Sequence, residues 1–177
     1  MTNLIRGALT GEYEPRGSVA DADCAIGQSF GSSPDGIGLV NDRMAQFVDS
    51  DLPARLYLLM QQEIANALED QGSSVNFVIK GDPSTAVGGQ LDSWGVLSQA
   101  QQHMMERGLN RPVLVAQAHQ IGRLTMQAIR LGMDPIVPEG LPTDFDPEST
   151  QFWTRNRALW SIREAVGIPY LRLRSKL

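Results

Sequence analysis

The residues with the clearest chemical potential are a histidine and an arginine four positions apart. His119 and Arg123 follow the apolar run 113–116, in a stretch whose pattern predicts a helix as far as Leu131. Side chains four residues apart project from the same helix face. The imidazole can act as a general acid or base, and the guanidinium can bind an anion or stabilise developing negative charge. We therefore predict that His119 and Arg123 are the catalytic residues of a site, if the protein is an enzyme.

Each member of this pair also has a purely structural interpretation. A histidine in the first turn of a helix feels the positive end of the helix dipole, which favours a neutral imidazole near pH 7. His119 can use that neutral form in catalysis, or it can simply cap the helix. Arg123 is equally consistent with a solvated helix face that it shares with Gln127 and Arg130. The sequence leaves these alternatives open.

A second group of polar residues follows the third predicted strand. Ser84 and Thr85 lie in the loop after residues 75–79, and Asp92 has the side chain of a helix N-cap. If the crossovers are right-handed, these residues share a sheet edge with His119, where hydroxyls and backbone N–H groups can hold an anion. Turn and capping chemistry favours the same residue types. A Ser-His-Asp triad is not predicted, because the G-x-S-x-G motif that exposes such a serine is absent.

The loop after the first predicted strand supplies the remaining candidate ligand contacts, Gly27, Gln28, Ser29 and Gly31. Its glycines do not have the G-x-G-x-x-G spacing of a dinucleotide-binding loop. A long strand-to-helix connection that needs several positive φ angles explains the glycines as well as a phosphate-binding loop does.

Strands alternating with helices are predicted through most of the chain. Apolar runs predict strands at 22–26, 55–60, 75–79, 113–116, 136–137 and 170–173, and helical periodicity predicts the segments between them. This order is typical of a three-layer αβα, Rossmann-like α/β fold with a mainly parallel sheet. We expect residues 1–19 to be an irregular lead-in and residues 20–177 to form a single domain. Trp153 and Trp160 should share one side of a last helix that ends near Gly167.

Composition excludes several classes of protein and site. The 177 residues carry a formal net charge of -5, which argues against a nucleic-acid partner, and contain a single cysteine, Cys24. There is no long apolar stretch or signal-peptide pattern, so we expect a soluble, cytoplasmic protein without a membrane partner. The acidic residues Asp144, Asp146 and Glu148 have oxygen ligands that suit a hard cation, but a solvated loop is the commoner case, and no metal site is predicted. The sequence does not indicate an oligomeric state.

The order of these features resembles the bacterial SanA, ElyC and YdcF family. The resemblance covers roughly residues 20–173 and rests on segment 20–27, on Asn41 to Arg43, on the Ser84–Thr85 loop and above all on segment 113–119 with its following arginine. It implies a Rossmann-like fold, a polar pocket at the carboxyl ends of the strands and a poorly defined role. It also implies S-adenosylmethionine as a possible cofactor, which is otherwise unknown. Positions 60–62 and the four-residue spacing of His119 and Arg123 depart from the family's pattern.

Two kinds of function fit these observations. In the first, a YdcF-like protein binds a small anionic or nucleotide-like ligand at the carboxyl edge of a parallel sheet. In the second, a hydrolase or transferase acts on a phosphate ester or another activated group with its His/Arg pair. The first is preferred, because the sequence shows neither a recognisable nucleophile nor a metal-binding motif.

Overall fold

Strands and helices alternate through most of the chain, as predicted. The computed structural model describes residues 2–33, 37–81, 92–173 and 176–177. The helices are α1 (Thr2–Thr10), α2 (Leu39–Asp51), α3 (Gln62–Asp70), α4 (Ser93–Arg107), α5 (Ala118–Arg130) and α6 (Arg157–Leu173), and the strands are β1 (Cys24–Gly27), β2 (Tyr57–Gln61), β3 (Phe77–Ile79) and β4 (Pro112–Val115). Short 3-10 helices cover Val19–Asp21 and Phe152–Thr154.

The four strands form one parallel sheet in the order β3-β2-β1-β4. Ile26 at the centre of β1 pairs with Leu59 of β2 on one side and with Leu114 of β4 on the other. The chain therefore moves outward from β1 to β3 and then returns across the sheet to place β4 on the opposite side of β1. The predicted parallel sheet is confirmed.

Helices cover both faces of this sheet. All four residues of β1 and all four of β4 are buried, which requires packing on both sides of the strands. Helix α2 packs against α3, and α4 packs against α5. The largest fully buried side chains include Ile26, Leu59, Ile64, Leu114 and Ile121, which join the strands to α3 and α5. These contacts confirm the predicted three-layer α/β architecture.

The N-terminal segment differs from its prediction. Residues 2–10, expected to be irregular, form helix α1, which packs against α5 and α6. The predicted strand at 136–137 is reduced to isolated bridges, in which Ile136 pairs parallel with Val113 and Val137 pairs antiparallel with Arg16. The residues after α1 thus reach the β4 side of the sheet.

The C-terminal prediction was wrong in two respects. Residues 170–173, predicted as a strand, belong to α6, which continues past Gly167 and contains Pro169. Trp153 lies in the preceding 3-10 helix, so it does not share one helix with Trp160. Trp160 is nevertheless buried in the core, and Trp153 packs partly buried against the same core. The buried Ile168 explains why the helix persists, since ending it at residue 167 would withdraw that side chain from the core.

Candidate functional site

A cleft of about 280 Å³ opens at the carboxyl ends of the strands, and we call it the edge cleft. Its wall includes residues 28–31 after β1, residues 61–63 at the junction of β2 and α3, and residues 92–93 at the start of α4. In the sheet order β3-β2-β1-β4, β2 and β3 are added on one side of β1 and β4 is added on the other. The order of strand addition therefore reverses between β1 and β4. Crevices at such reversals are the usual ligand sites of open α/β sheets.

Loop 28–31 contributes side chains to the edge cleft, but two of its backbone amides are bonded to side chains of the protein. Ser29 N donates to Gln61 Oε1 at 3.1 Å, and Phe30 N donates to Asn41 Oδ1 at 2.9 Å. Gly27 is explained by packing, because a Cβ there would lie 2.4 Å from Met60 Sδ. These two amides are therefore not free to hold a phosphate group. Their bonding favours the second interpretation of the loop, a long strand-to-helix connection.

Gly31 is the member of this loop whose backbone requires glycine. Its φ is +74°, and a Cβ would lie 2.6 Å from both Ser149 Oγ and Thr154 Oγ1. Thr154 also lines the edge cleft. The glycine lets the loop close against residues 149–154, which form the opposite rim.

The structure does not bring His119 to the edge cleft. The side chain is 5% exposed, and its Nδ1 lies 2.9 Å from Nε2 of Gln117. The ring packs edge-on against Phe145, and a Cβ on Gly11 would lie 2.7 Å from its Cε1. Burial, followed by the positive charge of Arg157, lowers the pKa of His119 to about 4. The imidazole is thus neutral near pH 7, as expected, but it is enclosed between α5 and the N-terminal segment.

Arg123, in contrast, lines the edge cleft and is held by a buried network. The side chain is 5% exposed, so the alternative of a solvated helix face was wrong. Its Nε donates to Glu164 Oε2 at 3.1 Å, and its NH1 donates to Ser93 Oγ. Glu164 is 2% exposed. Both partners fix the guanidinium at the β4 side of the cleft, where a charged donor in low dielectric interacts strongly with an anion.

A second arginine, Arg163, was missed by the sequence analysis. Its NH1 donates to Glu164, and its guanidinium lies 4.8 Å from the ring centroid of Trp160 and 5.9 Å from that of Trp153. Burial, and then the charge of Arg123, lower the pKa of Arg163, although a guanidinium stays protonated at neutral pH. The side chain is 41% exposed, so it is the more accessible of the two cations. The sequence contained one indication of this contact, since Arg163 follows Trp160 by three residues and such side chains lie next to each other on a helix.

Asp92 performs the predicted capping role and also lines the edge cleft. Its Oδ1 accepts from Gly95 N at 2.8 Å, and its Oδ2 accepts from Lys176 Nζ at 2.9 Å. Partial burial opposes ionisation, but these bonds and the nearby Arg123 lower the pKa of Asp92 overall. The other two residues predicted with it, Ser84 and Thr85, lie outside the described residues.

Several buried polar atoms at the wall of the edge cleft have no hydrogen-bonding partner among the described residues. They are Gln28 Oε1, Glu63 Oε2, Gln120 Nε2 and Trp160 Nε1. Gln28, Gln120 and Trp160 are each more than nine-tenths buried. A buried polar group without a partner costs about 1–3 kcal/mol, so each favours a ligand that supplies one. No sequence motif distinguishes these side chains from ordinary surface residues of the same types.

The acidic loop 144–148 does not form a cation site. Asp146 is buried and accepts from Leu39 N at 3.1 Å and from Glu148 N at 3.0 Å, so its carboxylate caps the start of α2. Within the described ranges, no three His, Cys, Asp or Glu side chains are grouped so that they could hold a metal ion. The same ranges contain no helix with the length and apolar character needed to cross a membrane.

Comparison with protein-family models, with curated protein sequences and with solved structures found no match to this chain. The resemblance to the SanA, ElyC and YdcF family therefore stays a prediction from the sequence.

Proposed function

We propose that the protein binds a small anionic or nucleotide-like ligand in the edge cleft, as expected of a YdcF-like protein. The observation that carries the proposal is the pair of arginines at one end of the cleft. Arg123 and Arg163 share the single carboxylate of Glu164, so this cluster retains one positive charge. A ligand anion is the natural complement of that excess charge.

Two further features support an anion at this position. The first turn of α4 borders the cleft, and the N-terminal end of a helix carries partial positive charge. Gln120 and Trp160 add unpartnered N–H donors on the same side of the cleft as Arg123. Donors from three sources thus surround the place where an anionic group would lie.

The alternative of a hydrolase or transferase with a His/Arg pair has less support. His119 lies away from the edge cleft and loses its basicity through burial. Among the described residues, neither a histidine nor a cysteine lines the cleft wall. Its serines, Ser29 and Ser93, therefore lack a histidine within the described wall that would activate them.

Isothermal titration calorimetry with AMP, S-adenosylmethionine and inorganic phosphate tests the proposal. We expect at least one probe to bind, and Arg163→Gln to weaken binding about 10- to 100-fold, the equivalent of one charge-assisted hydrogen bond. Arg43→Gln is the matched control, because Arg43 is an exposed arginine of α2 that does not line the cleft. Equal effects of the two substitutions on affinity would show that the anion does not bind in this cleft.

A further inference from the structure

The edge cleft has opposite charges at its two ends. At the β4 end, Arg123 and Arg163 share Glu164 and leave one positive charge. At the β2 end, Glu63 forms no salt bridge with any described residue, and its Oε2 is buried without a hydrogen-bonding partner. Glu63 stands in the first turn of α3. The cleft is therefore bipolar.

Hydrogen-bonding capacity follows the same division. The unpartnered atoms on the β1–β2 side are acceptors, Gln28 Oε1 and Glu63 Oε2. Of the unpartnered atoms on the α5–α6 side, those that belong to residues of the cleft wall are donors, Gln120 Nε2 and Trp160 Nε1. The orientation of Gln28 is fixed by its own Nε2, which donates to Gln61 Oε1 at 3.1 Å and leaves Oε1 as the free end. A complementary ligand must present donors to the first side and acceptors to the second.

The net charge of the wall distinguishes between kinds of anion. Among the residues that the structure describes, the charged ones that line the cleft are Arg123, Arg163, Glu63 and Asp92, and their charges cancel. The two charged partners just outside the wall, Glu164 and Lys176, cancel as well. A phosphate ester would bring close to two negative charges that this wall does not neutralise. A ligand with one negative and one positive group matches it.

The separation of the two strands that lead to the ends of the cleft is compatible with a small molecule of this kind. Strands β2 and β4 are separated by β1 alone, so their ends lie roughly 10 Å apart at about 4.8 Å per strand. An ammonium and a carboxylate on one carbon are roughly 3 Å apart. Adding one hydrogen bond of about 2.9 Å at each end gives a span of roughly 9 Å.

Resting on the proposed function, we propose that the anionic group is the carboxylate of an amino-acid-like zwitterion, whose ammonium group lies at Glu63 and Gln28 and whose carboxylate lies at Arg163 and Gln120. The indole N–H of Trp160 is a further donor to that carboxylate. The assignment makes Glu63 a ligand-binding residue and gives the unpartnered acceptors of the β1–β2 side a function.

Isothermal titration calorimetry of the full chain with the proteinogenic L-amino acids tests this assignment, with the N-acetyl derivative of each amino acid that binds. We expect binding of at least one, and a loss of about 10- to 100-fold in affinity on N-acetylation, which removes the ammonium charge. Glu63→Gln should cause a comparable loss. Glu69→Gln, on the same helix but exposed, should leave affinity unchanged.

The outcomes separate this inference from the proposed function. Binding of AMP or phosphate without any amino acid overturns the zwitterion and leaves the anion site standing. Amino-acid binding that tolerates N-acetylation overturns it too, and this comparison needs only the wild-type chain. If neither amino acids nor AMP, S-adenosylmethionine and phosphate bind, both proposals are rejected.

Discussion

Replacing Glu164 by glutamine should destabilise the protein more than replacing Arg123 by methionine. Both residues are almost fully buried, at 2% and 5% exposed, and their Nε to Oε2 distance is 3.1 Å. The two substitutions should lower the free energy of unfolding by different amounts because Glu164 has a second cationic partner, Arg163. Without Arg123, the carboxylate remains paired with Arg163. Without the carboxylate, Arg123 keeps the Ser93 hydroxyl as its hydrogen-bonding partner among the described residues and faces the charge of Arg163, which Glu164 no longer neutralises.

The structure sets the size of this difference. Breaking a buried ion pair so that a charge is left uncompensated costs about 3–5 kcal/mol, which we expect for Glu164→Gln. Arg123→Met removes the hydrogen bonds to Glu164 and Ser93, but Glu164 keeps Arg163 as a cationic partner and methionine fills most of the space of the arginine stem, so we expect a cost of about 1.5–3 kcal/mol. The double variant should lose less free energy of unfolding than the sum of the two single variants. In the double variant, Arg123→Met removes the positive charge that Glu164→Gln alone leaves without a carboxylate.

Urea unfolding followed by far-UV circular dichroism gives the four free energies of unfolding that this cycle needs. Arg43→Met and Glu69→Gln are the controls, since both residues are exposed and should change stability by less than about 0.5 kcal/mol. A cost for Arg123→Met equal to or larger than that for Glu164→Gln would refute the shared-carboxylate arrangement. Strict additivity of the two substitutions would refute it as well.

Three further predictions concern the supports of the site. The pKa of His119 in the folded protein is lowered to about 4, so its contribution to the free energy of unfolding should be fully present above pH 6.5. Between pH 6.5 and pH 4 the free energy of unfolding should fall by up to about 1.4 kcal/mol per pH unit. Urea unfolding of His119→Gln at several pH values should not show this slope. Gly31→Ala should cost about 1–3 kcal/mol more than Gly108→Ala in thermal unfolding, because both glycines have positive φ but only Gly31 is enclosed. Asp146→Ala should cost about 1–2 kcal/mol through the lost cap of α2, and unchanged hydrogen exchange in the first turn of α2 would contradict that role.

The parallel sheet was predictable because its signals are local and strong. Each of the four strands lies in a short apolar run, and each is followed along the chain by a segment with helical periodicity. The ends of the chain were harder. In α6, Gly167 and Pro169 are typical helix terminators, but the buried Trp160 before them and the buried Ile168 between them hold the helix against the core. Tertiary packing overrides local propensity at such places.

The candidate site was predicted in its position and only partly in its residues. Arg123 and Asp92 were identified because both stand at helix starts that follow a strand, and both line the edge cleft. His119 stands at a helix start too, but the first turn of α5 directs it toward α1 and Phe145. A position in a helix's first turn fixes the edge of the sheet on which a residue lies. It does not fix which side of the helix the residue occupies relative to the cleft, and that depends on packing between distant segments.

The acidic end of the edge cleft also shows that a residue's position on a sheet edge does not by itself identify a site. Gln61, Gln62 and Glu63 immediately follow the apolar residues of β2, so the sequence already places them at the carboxyl edge of the sheet. Their relevance depends on the order β3-β2-β1-β4, which sets β2 one strand away from the reversal point and opposite to α5. Had β2 lain at the outer edge and β3 beside β1, Glu63 would stand roughly 5 Å farther from the arginines, too far for one small zwitterion to reach both ends. Strand order, which no local pattern encodes, is therefore what turns a glutamate and two arginines separated by 60 to 100 residues into the two ends of one cleft.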